Sequence, residues 1–508
     1  MKVLTAAEMR EVDRRTIEAG IPGVVLMENA GQRVVEFLAE RFAPLAEQRI
    51  AILCGKGNNG GDGLVIARQL LTRYAPASLY VVLLADPAEL KGDAAANYTM
   101  LLAAGGEVHS EIPVGARNAT LVLDALLGTG VSGPANGRAL QGIREINSGF
   151  PLAKVVAVDL PSGMPTDSGE PGADFVRADY TVTFTAPKVS QMMPPNCDHV
   201  GELVVGTIGS RAEFFEDVRL SVIEPAMFAE LLAPRAPGGH KGTYGHVLIV
   251  AGSRGKTGAA AMAGMSALRT GAGLVTVASA ESAIAAIAGH AAELMTEPLR
   301  ETESGMIALN ANLGPVIAGK SVLAIGPGLG RAPHIGTLVH GLAEAFEGPM
   351  VLDADALEGT MRGSESRLRV LTPHPGEMAR LTGKSTAEIQ ADRIGAARAY
   401  ATEHGVTLVL KGQRTVIGFP DGEVYINPTG TPAMGKGGSG DLLTGMIAAM
   451  LAQFPKSARQ AVSAAVYLHG LAGELAAQDE GDKCVLATDL LRYLGDAMEA
   501  CAHVPHGV

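Results

Sequence analysis

Cysteine is scarce. Cys54, Cys197, Cys484 and Cys501 are scattered over 508 residues with no paired spacing. That excludes a disulfide framework and a cysteine zinc motif, and it points to a reduced, cytoplasmic setting. Positive charge is in deficit: 41 Lys and Arg stand against 53 Asp and Glu, a formal net charge of −12. Such a chain is poorly suited to neutralise a phosphate backbone, so no nucleic acid is expected as a partner. Short loops bearing Lys or Arg could still hold a nucleotide. Long apolar runs are missing too. None approaches the roughly 20 residues that span a bilayer, so no membrane partner is expected. The opening MKVLTAAEMREVDRRTIEAG mixes acids and bases and lacks the apolar centre of a secretory signal.

What is present reads as a soluble, globular chain: 47% hydrophobic, 19% charged, with 64 glycines for many tight loops. Its length calls for two or more domains. Helices are expected over 5–20 and 23–42. A buried strand, Arg49–Cys54, then runs through glycines into a helix over Leu64–Leu71. Strand-then-loop units continue in ATLVLDALLGTG, KVVAVDLPSG and DYTVTFTAPK. Around 211–240 the composition changes and Pro and Gly accumulate, which sets domains at 1–225 and 226–508. Alternation then resumes in HVLIVAGS, LVTVASA, SVLAIGPGLG, PMVLDADAL, RVLTPHPGE and TLVLKGQRTVI, with Ala-rich helices between. The expected fold is α/β: a Rossmann-like three-layer domain, then a second, mainly parallel α/β domain.

In the first half Gly55, Gly57 and Gly60 match GxGxxG between strand and helix, a pattern that is weak alone. The acid that usually follows the second strand would be Asp86, which lies late. Asn58, Asn59 and Asp62 make this loop fuller than a plain dinucleotide fingerprint. Asp124, Asp159 and Ser162 stand at later strand ends, and Lys188 closes a fourth strand. In parallel sheets these ends face the ligand crevice. Capping explains any one of the acids, but explains all of them less well. Oxygen ligands without His or Cys suit a hard cation rather than zinc.

In the second half NPTGTPAMGKGGSGDLLTGMIAAML, residues 427–451, passes from small residues into helical spacing at Leu442, Leu443, Met446, Ile447, Met450 and Leu451. Gly437, Gly438 and Gly440 fall where the helix begins, so unpaired N–H groups would face an anion. Asp441 stands at the same point. A carboxylate beside an anion hole suits a base that takes a hydroxyl proton; the bland alternative is a helix cap. Lys411, Gly412, Gln413, Arg414 and Thr415 end a strand with two cations, suited to nucleotide phosphates. His374 sits between Pro373 and Pro375, with Glu377 following. Two glycine turns are decoys. AGSRGKTG fails as a Walker A loop because Val250 occupies the first glycine position, and GPGLGR fails as GxGxxG because residue 331 is Arg.

The segment 427–441 resembles the ribokinase-like superfamily signature, and most closely the ADP/ATP-dependent NAD(P)H-hydrate dehydratase family, whose loop reads N-x-T-G-x-P-x-M-x-x-G-G-[ST]-G-D. The first half, through LTAAEMREVD, GIPGVVLMENAG, NNGGDG, LDALLGTGVSG, VDLPSG and FTAPK, resembles the NAD(P)H-hydrate epimerase family. Together they resemble the bifunctional NAD(P)H-hydrate repair enzymes. The resemblance implies that Asn58, Asn59, Gly60, Gly61 and Asp62, with Gly128, Thr129, Gly130, Val131, Ser132, Gly133 and Pro134, bind the hydrated nucleotide. It implies a potassium ion on Asn59, Asp124 and Ser162, and Asp159 as acid/base at C6, ahead of Lys188. It assigns Gly258, Gly328, His374 and Asp441 to the hydrated nucleotide in the second domain. Lys411 to Thr415 with Gly440 go to ADP or ATP, magnesium is the expected metal there, and a homo-oligomer is expected.

The reaction so implied is repair. Water added to the nicotinamide ring of NADH or NADPH gives R and S hydrates, NADHX and NADPHX. One domain would interconvert the epimers. The other would phosphorylate the S hydroxyl, with Asp441 as base, and lose phosphate to restore the double bond. Two other readings share these residues. A plain small-molecule kinase would leave a stable phosphorylated product. A non-enzymatic nucleotide-binding first domain would bind hydrates without interconverting them.

Overall fold

The computed structural model describes residues 1–130, 133–168, 174–359, 361–364 and 366–503. Internal contacts divide the chain into Met1–Leu220 and Ser221–Val508. The break precedes the 225/226 boundary read from composition, because the strand that spans it is paired in the second sheet.

Among the described residues the first unit holds seven strands: β1 Arg49–Cys54, β2 Ser78–Leu83, β3 Val108–His109, β4 Leu121–Ala125, β5 Lys154–Val158, β6 Tyr180–Phe184 and β7 Glu202–Gly206. Their order is β3-β2-β1-β4-β5-β6-β7, with every neighbouring pair parallel. The first six follow the Rossmann order 3-2-1-4-5-6. Apolar clusters cover both faces. One includes Val34, Leu38, Ile50, Ile52, Leu64 and Ile66; the other includes Leu53, Val122, Ile143 and Ile146. Helices form over Ala6–Glu18 and Gly23–Arg41, as the periodicity predicts.

The helix after β1 begins earlier than expected. It runs Asn58–Arg73, so NNGGDG is its opening turns rather than a loop. The glycines are there for contact. A Cβ on Gly60 would lie 1.9 Å from the Gly55 carbonyl oxygen. The helix therefore starts against the end of β1, which points Asn59 and Asp62 inward, 7% and 9% exposed.

The second unit's sheet is built from β8 Leu220–Val222, β9 His246–Val250, β10 Leu274–Ala280, β11 Met295–Leu299, β12 Val322–Ile325, β13 Met350–Leu352, β14 Arg369–Leu371, β15 Thr407–Leu410, β16 Val416–Gly418 and β17 Val424–Ile426. The order is β11-β10-β9-β12-β13-β14-β15-β16-β17-β8. It is parallel from β11 to β15 and antiparallel through β16 and β17. Helix Ser439–Gln453 buries all six periodic apolar residues, each worth about 1.5–3 kcal/mol. Gly445 packs so closely on helix Thr257–Thr270 that a Cβ would lie 2.0 Å from the Ala263 carbonyl oxygen. That contact fixes the two helices against each other.

Candidate active sites

In both sheets the chain reverses its direction of growth at one point: between β1 and β4, and between β9 and β12. Loops leaving the carboxyl ends there part to leave a crevice.

In the first unit the crevice is a cavity of about 1300 Å³. Asn58, Asn59, Asp62, Gly128, Thr129, Gly130, Pro134 and Asp159 line it, with Asp13. Asp124, at the end of β4, is fully buried. Its Oδ2 accepts from the Ser162 backbone N–H at 2.7 Å, and its Oδ1 from the Ser162 hydroxyl at 2.5 Å. Burial pushes Asp124 up to about 6, against the pull of those bonds. Asn59 Nδ2 donates to the Leu127 carbonyl at 3.0 Å, while Asn59 Oδ1 is buried without a partner.

Asp159 follows β5 with a left-handed φ of 64°. Lys188, 0% exposed, sets its carboxylate: Nζ donates to Asp159 Oδ1 at 2.6 Å, to Thr183 Oγ1 at 2.8 Å and to the Phe184 carbonyl at 3.1 Å. Thr183 Oγ1 also donates to Asp159 Oδ1, at 3.0 Å, and Gln191 Nε2 donates to the Asp159 carbonyl at 2.6 Å.

In the second unit, Gly438 takes the cap position of helix Ser439–Gln453 at φ 101°, with no side-chain capping bond. Asp441, in the first turn, is therefore not the cap. Burial pushes it up to about 6, the charges of Asp353 and Asp355 add to the rise, and Lys411 opposes it. Lys411 Nζ donates to Asp353 Oδ1 at 2.6 Å and lies 3.9 Å from Glu377 Oε2. Burial alone would lower Lys411, but Asp353 and Glu377 hold it above its ordinary value. A Cβ on Gly440 would lie 3.3 Å from Lys411 Nζ. Lys411, the glycine turn and the Asp441 carboxylate thus meet at one point.

The remaining loops supply the walls. Gly258, in the first turn of helix Thr257–Thr270, has nothing within 4 Å of where a Cβ would sit. Gly328, at φ +66°, lies against the Lys256 carbonyl, so the two decoy turns pack on each other. His374 caps helix Pro375–Thr382: Nδ1 accepts from the Gly376 and Glu377 N–H groups at 3.0 and 3.3 Å, and Nε2 faces Glu377 at 3.4 Å. Lys411 to Thr415 connect antiparallel β15 and β16, and Arg414 Nη1 donates to the Pro428 carbonyl at 2.6 Å.

Two family models match the chain: YjeF-related protein N-terminus over residues 23–190, and NAD(P)H-hydrate dehydratase over 247–495. A bifunctional NAD(P)H-hydrate repair enzyme of Moorella thermoacetica is 44% identical over 97% of this chain and 96% of its own. The chain belongs to the bifunctional NAD(P)H-hydrate repair enzyme family. The Escherichia coli family member is 35% identical over 96% of this chain and 92% of its own. Among solved structures, an ADP/ATP-dependent NAD(P)H-hydrate dehydratase from Bacillus subtilis, co-crystallized with ATP/Mg2+, is 34% identical. It covers 55% of this chain and 98% of its own, with a TM-score of 0.50. That likeness identifies the second unit's fold as ribokinase-like.

The fold of this repair-family chain brings most of the expected residues together and adds others. Gly60 and Gly61 pack on Gly55 and Met27, while Asn58, Asn59 and Asp62 present side chains to the cavity. Val131 and Ser132 lie outside the described residues, and Gly133 next to them is not among the cavity-lining residues. Three residues went unnoticed in the sequence. Asp353 is 1% exposed and bonded to Lys411, Thr372 Oγ1 at 2.7 Å and Thr444 Oγ1 at 2.9 Å. Arg393, 4% exposed, donates to the Leu410 and Gln413 carbonyls beneath the Lys411–Thr415 turn. His469 Nε2 lies 3.3 Å from Ser439 Oγ, and burial drops it to about 4, so a neutral ring supports the glycine turn. The signal for Asp353 was its place directly after an apolar strand.

Proposed function

We propose that the N-terminal cavity interconverts the R and S hydrates of NADH and NADPH, and that the C-terminal crevice dehydrates the S form using ADP or ATP. The chain is thus a bifunctional enzyme, an NAD(P)H-hydrate epimerase and an ADP/ATP-dependent dehydratase. The observation that carries this reading is the convergence of Asp441, Lys411 and Gly440 in a chain of this family. Asp441 takes the C6 hydroxyl proton as the oxygen attacks the terminal phosphoryl group. Lys411 to Thr415 and Gly440 hold the nucleotide, and N–H groups at Gly438–Gly440 hold the transferred group. Gly258, Gly328 and His374 line the hydrated dinucleotide's place. Phosphate then leaves where hydroxide would not, and the ring double bond returns. In the N-terminal cavity Asp159 is the acid/base at C6, and the stretches from Asn58 and from Gly128 bind the nucleotide.

A potassium ion fits between Asn59, Asp124 and Ser162. Asn59 Oδ1 is a buried acceptor lacking a partner, and all the donors are oxygens. When bound, the ion supplies a fixed positive charge at these strand ends. After a rubidium soak, anomalous scattering is expected between the three side chains; an empty site there refutes it. Magnesium fits differently. Among the described residues no three His, Cys, Asp or Glu side chains form a ready metal cluster, and Mg2+ commonly keeps one or two carboxylates plus phosphates and water. The carboxylates near the glycine turn, Asp353, Asp355, Glu377 and Asp441, are the residues that would hold a magnesium nucleotide. Bound there, the ion offsets phosphate charge.

The free cysteines fit a cytoplasmic setting, and no helix among the described residues is long and apolar enough to cross a membrane. Homo-oligomer assembly belongs to the same reading by family resemblance. The test supplies mixed hydrate epimers with ADP or with ATP and follows reduced-nicotinamide absorbance. Nucleotide-dependent recovery beyond the S fraction, with inorganic phosphate released, is expected. A stable phosphorylated product would mark a kinase instead.

A further inference from the structure

Asp62 and Asp13 line the N-terminal cavity without a partner. Asp62, on helix Asn58–Arg73, is 9% exposed, and Asp13, on helix Ala6–Glu18, is partly buried. Among the described residues neither makes a hydrogen bond or ion pair; burial and neighbouring charge alone act on them. Asp159 lines the same cavity in the opposite circumstance, bonded to the Lys188 ammonium and the Thr183 hydroxyl. One carboxylate is ion-paired, and one buried carboxyl has nothing to stabilise its charge. That split is how a site assigns base and acid to like side chains.

The surroundings agree. A buried carboxyl without a donor does not stay charged. Burial pushes Asp62 well above the ordinary carboxylate range, and the charges of Asp159 and Asp13 push it further. Asp13 is pushed up to about 6, by burial first and then by Asp159, with Lys188 opposing. Cys54 is raised by burial and by Asp62, so it stays a neutral thiol and adds no charge. The other charged residues lining the cavity are Arg10, Lys56, Asp86, Glu89, Asp93 and Arg138. Lys56 is paired to Glu89 at 2.7 Å.

We propose that Asp62 is a second catalytic residue of the N-terminal site, a neutral carboxyl that gives the hydrated ring a proton while Asp159 removes one. This rests on the epimerase reading. In the hydrate, C6 bears both the hydroxyl and the ring nitrogen N1. Asp159 takes the hydroxyl proton, and the oxygen forms a carbonyl at C6. The C6–N1 bond breaks with its electron pair on N1, and N1 takes the Asp62 proton. Rotation turns the other carbonyl face toward N1. Reversal re-forms the bond, returns one proton to Asp62 and delivers the other from Asp159 to oxygen. No water, oxidant or nucleotide is consumed. Asp13 keeps Asp62 neutral across the working pH range.

The test measures epimer exchange by the full-length chain against pH, without nucleotide. Asp62→Asn keeps size and neutrality but has no acidic proton. It should lower kcat by about 10²–10⁴-fold, the range for general catalysis. KM should move little, and the fall in rate at alkaline pH should disappear. Asp13→Asn should move that alkaline fall to lower pH, because a negative neighbour is gone. A raised KM with kcat and the pH profile intact in Asp62→Asn would make Asp62 a binding group and overturn the proposal, as would parental rates. If the parent chain does not exchange the epimers, the epimerase reading itself falls, and this inference with it.

Discussion

Asp441→Asn is expected to abolish repair while the protein becomes more stable. Asn keeps the size of Asp441 but cannot take the hydroxyl proton, so nucleotide-dependent recovery of reduced nicotinamide should fall by about 10²–10⁴-fold. ADP binding and epimer exchange should survive, because Lys411–Thr415 and the N-terminal cavity are untouched. Stability should move the other way. Burial, with Asp353 and Asp355, lifts Asp441 to about 6 in the folded chain, so the folded state binds its proton more tightly than the unfolded chain does. The stability tied to that proton is present in acid and lost as pH rises through about 6. At pH 7.5 the charged carboxylate opposes folding by on the order of 2 kcal/mol. The variant should therefore melt above the parent at pH 7.5, and the two curves should converge near pH 4. The parent's dehydration rate should fall on the acid side with a midpoint near pH 6, where the base gains its proton. Calorimetry and both activities on one preparation decide it. Parental dehydration by the variant would reduce Asp441 to a charge at a helix start. Loss of both activities together would refute the division of labour.

The glycine turn of the second unit was legible because its physics is local. Glycines, a helical apolar stripe and one carboxylate lie within fifteen residues, and the helix forms at Ser439 as the spacing requires. The strand-end logic was equally local: Asp124 lies in the last residues of β4, Asp159 directly follows β5, and Ser162 lies in the turn beyond it. What escaped depends on tertiary approach. NNGGDG looks like a loop because glycine weakens helices, yet here the glycines let a helix start against the end of β1. Asp353 draws its partners from residues 372, 411 and 444, three segments that no local pattern links. Asp13 sits on a helix of mixed charge that reads as a solvated surface, and only the fold turns that position toward a cavity. Arg393 looks like an ordinary helical cation until its guanidinium is found beneath the Lys411–Thr415 turn.

Asp159→Asn should slow epimer exchange by about two to four orders of magnitude and leave dehydration of pure S hydrate at the parental rate. The backbone should accept the change: φ at Asp159 is 64°, a region where Asn is among the best-tolerated residues. The cost falls on Lys188. Its ammonium is fully buried, and beside Thr183 Oγ1, the Phe184 carbonyl and the Asn amide oxygen it would keep hydrogen bonds but lose the carboxylate charge that pairs it. Removing one member of a buried pair typically costs about 3–5 kcal/mol, so the melting temperature should drop and rates must be taken well below it. Lys188→Met separates catalysis from that damage. If Asp159 is the acid/base and Lys188 only positions it, the Asp159→Asn, Lys188→Met double variant should regain stability over Asp159→Asn, since no buried cation is left unpaired, yet remain as slow. If exchange instead stays near normal in Asp159→Asn and collapses in Lys188→Met alone, the ammonium carries the proton and the roles are reversed. The melting curve and the exchange rate respond to different atoms of one ion pair, and measuring both tells a proton carrier from its support.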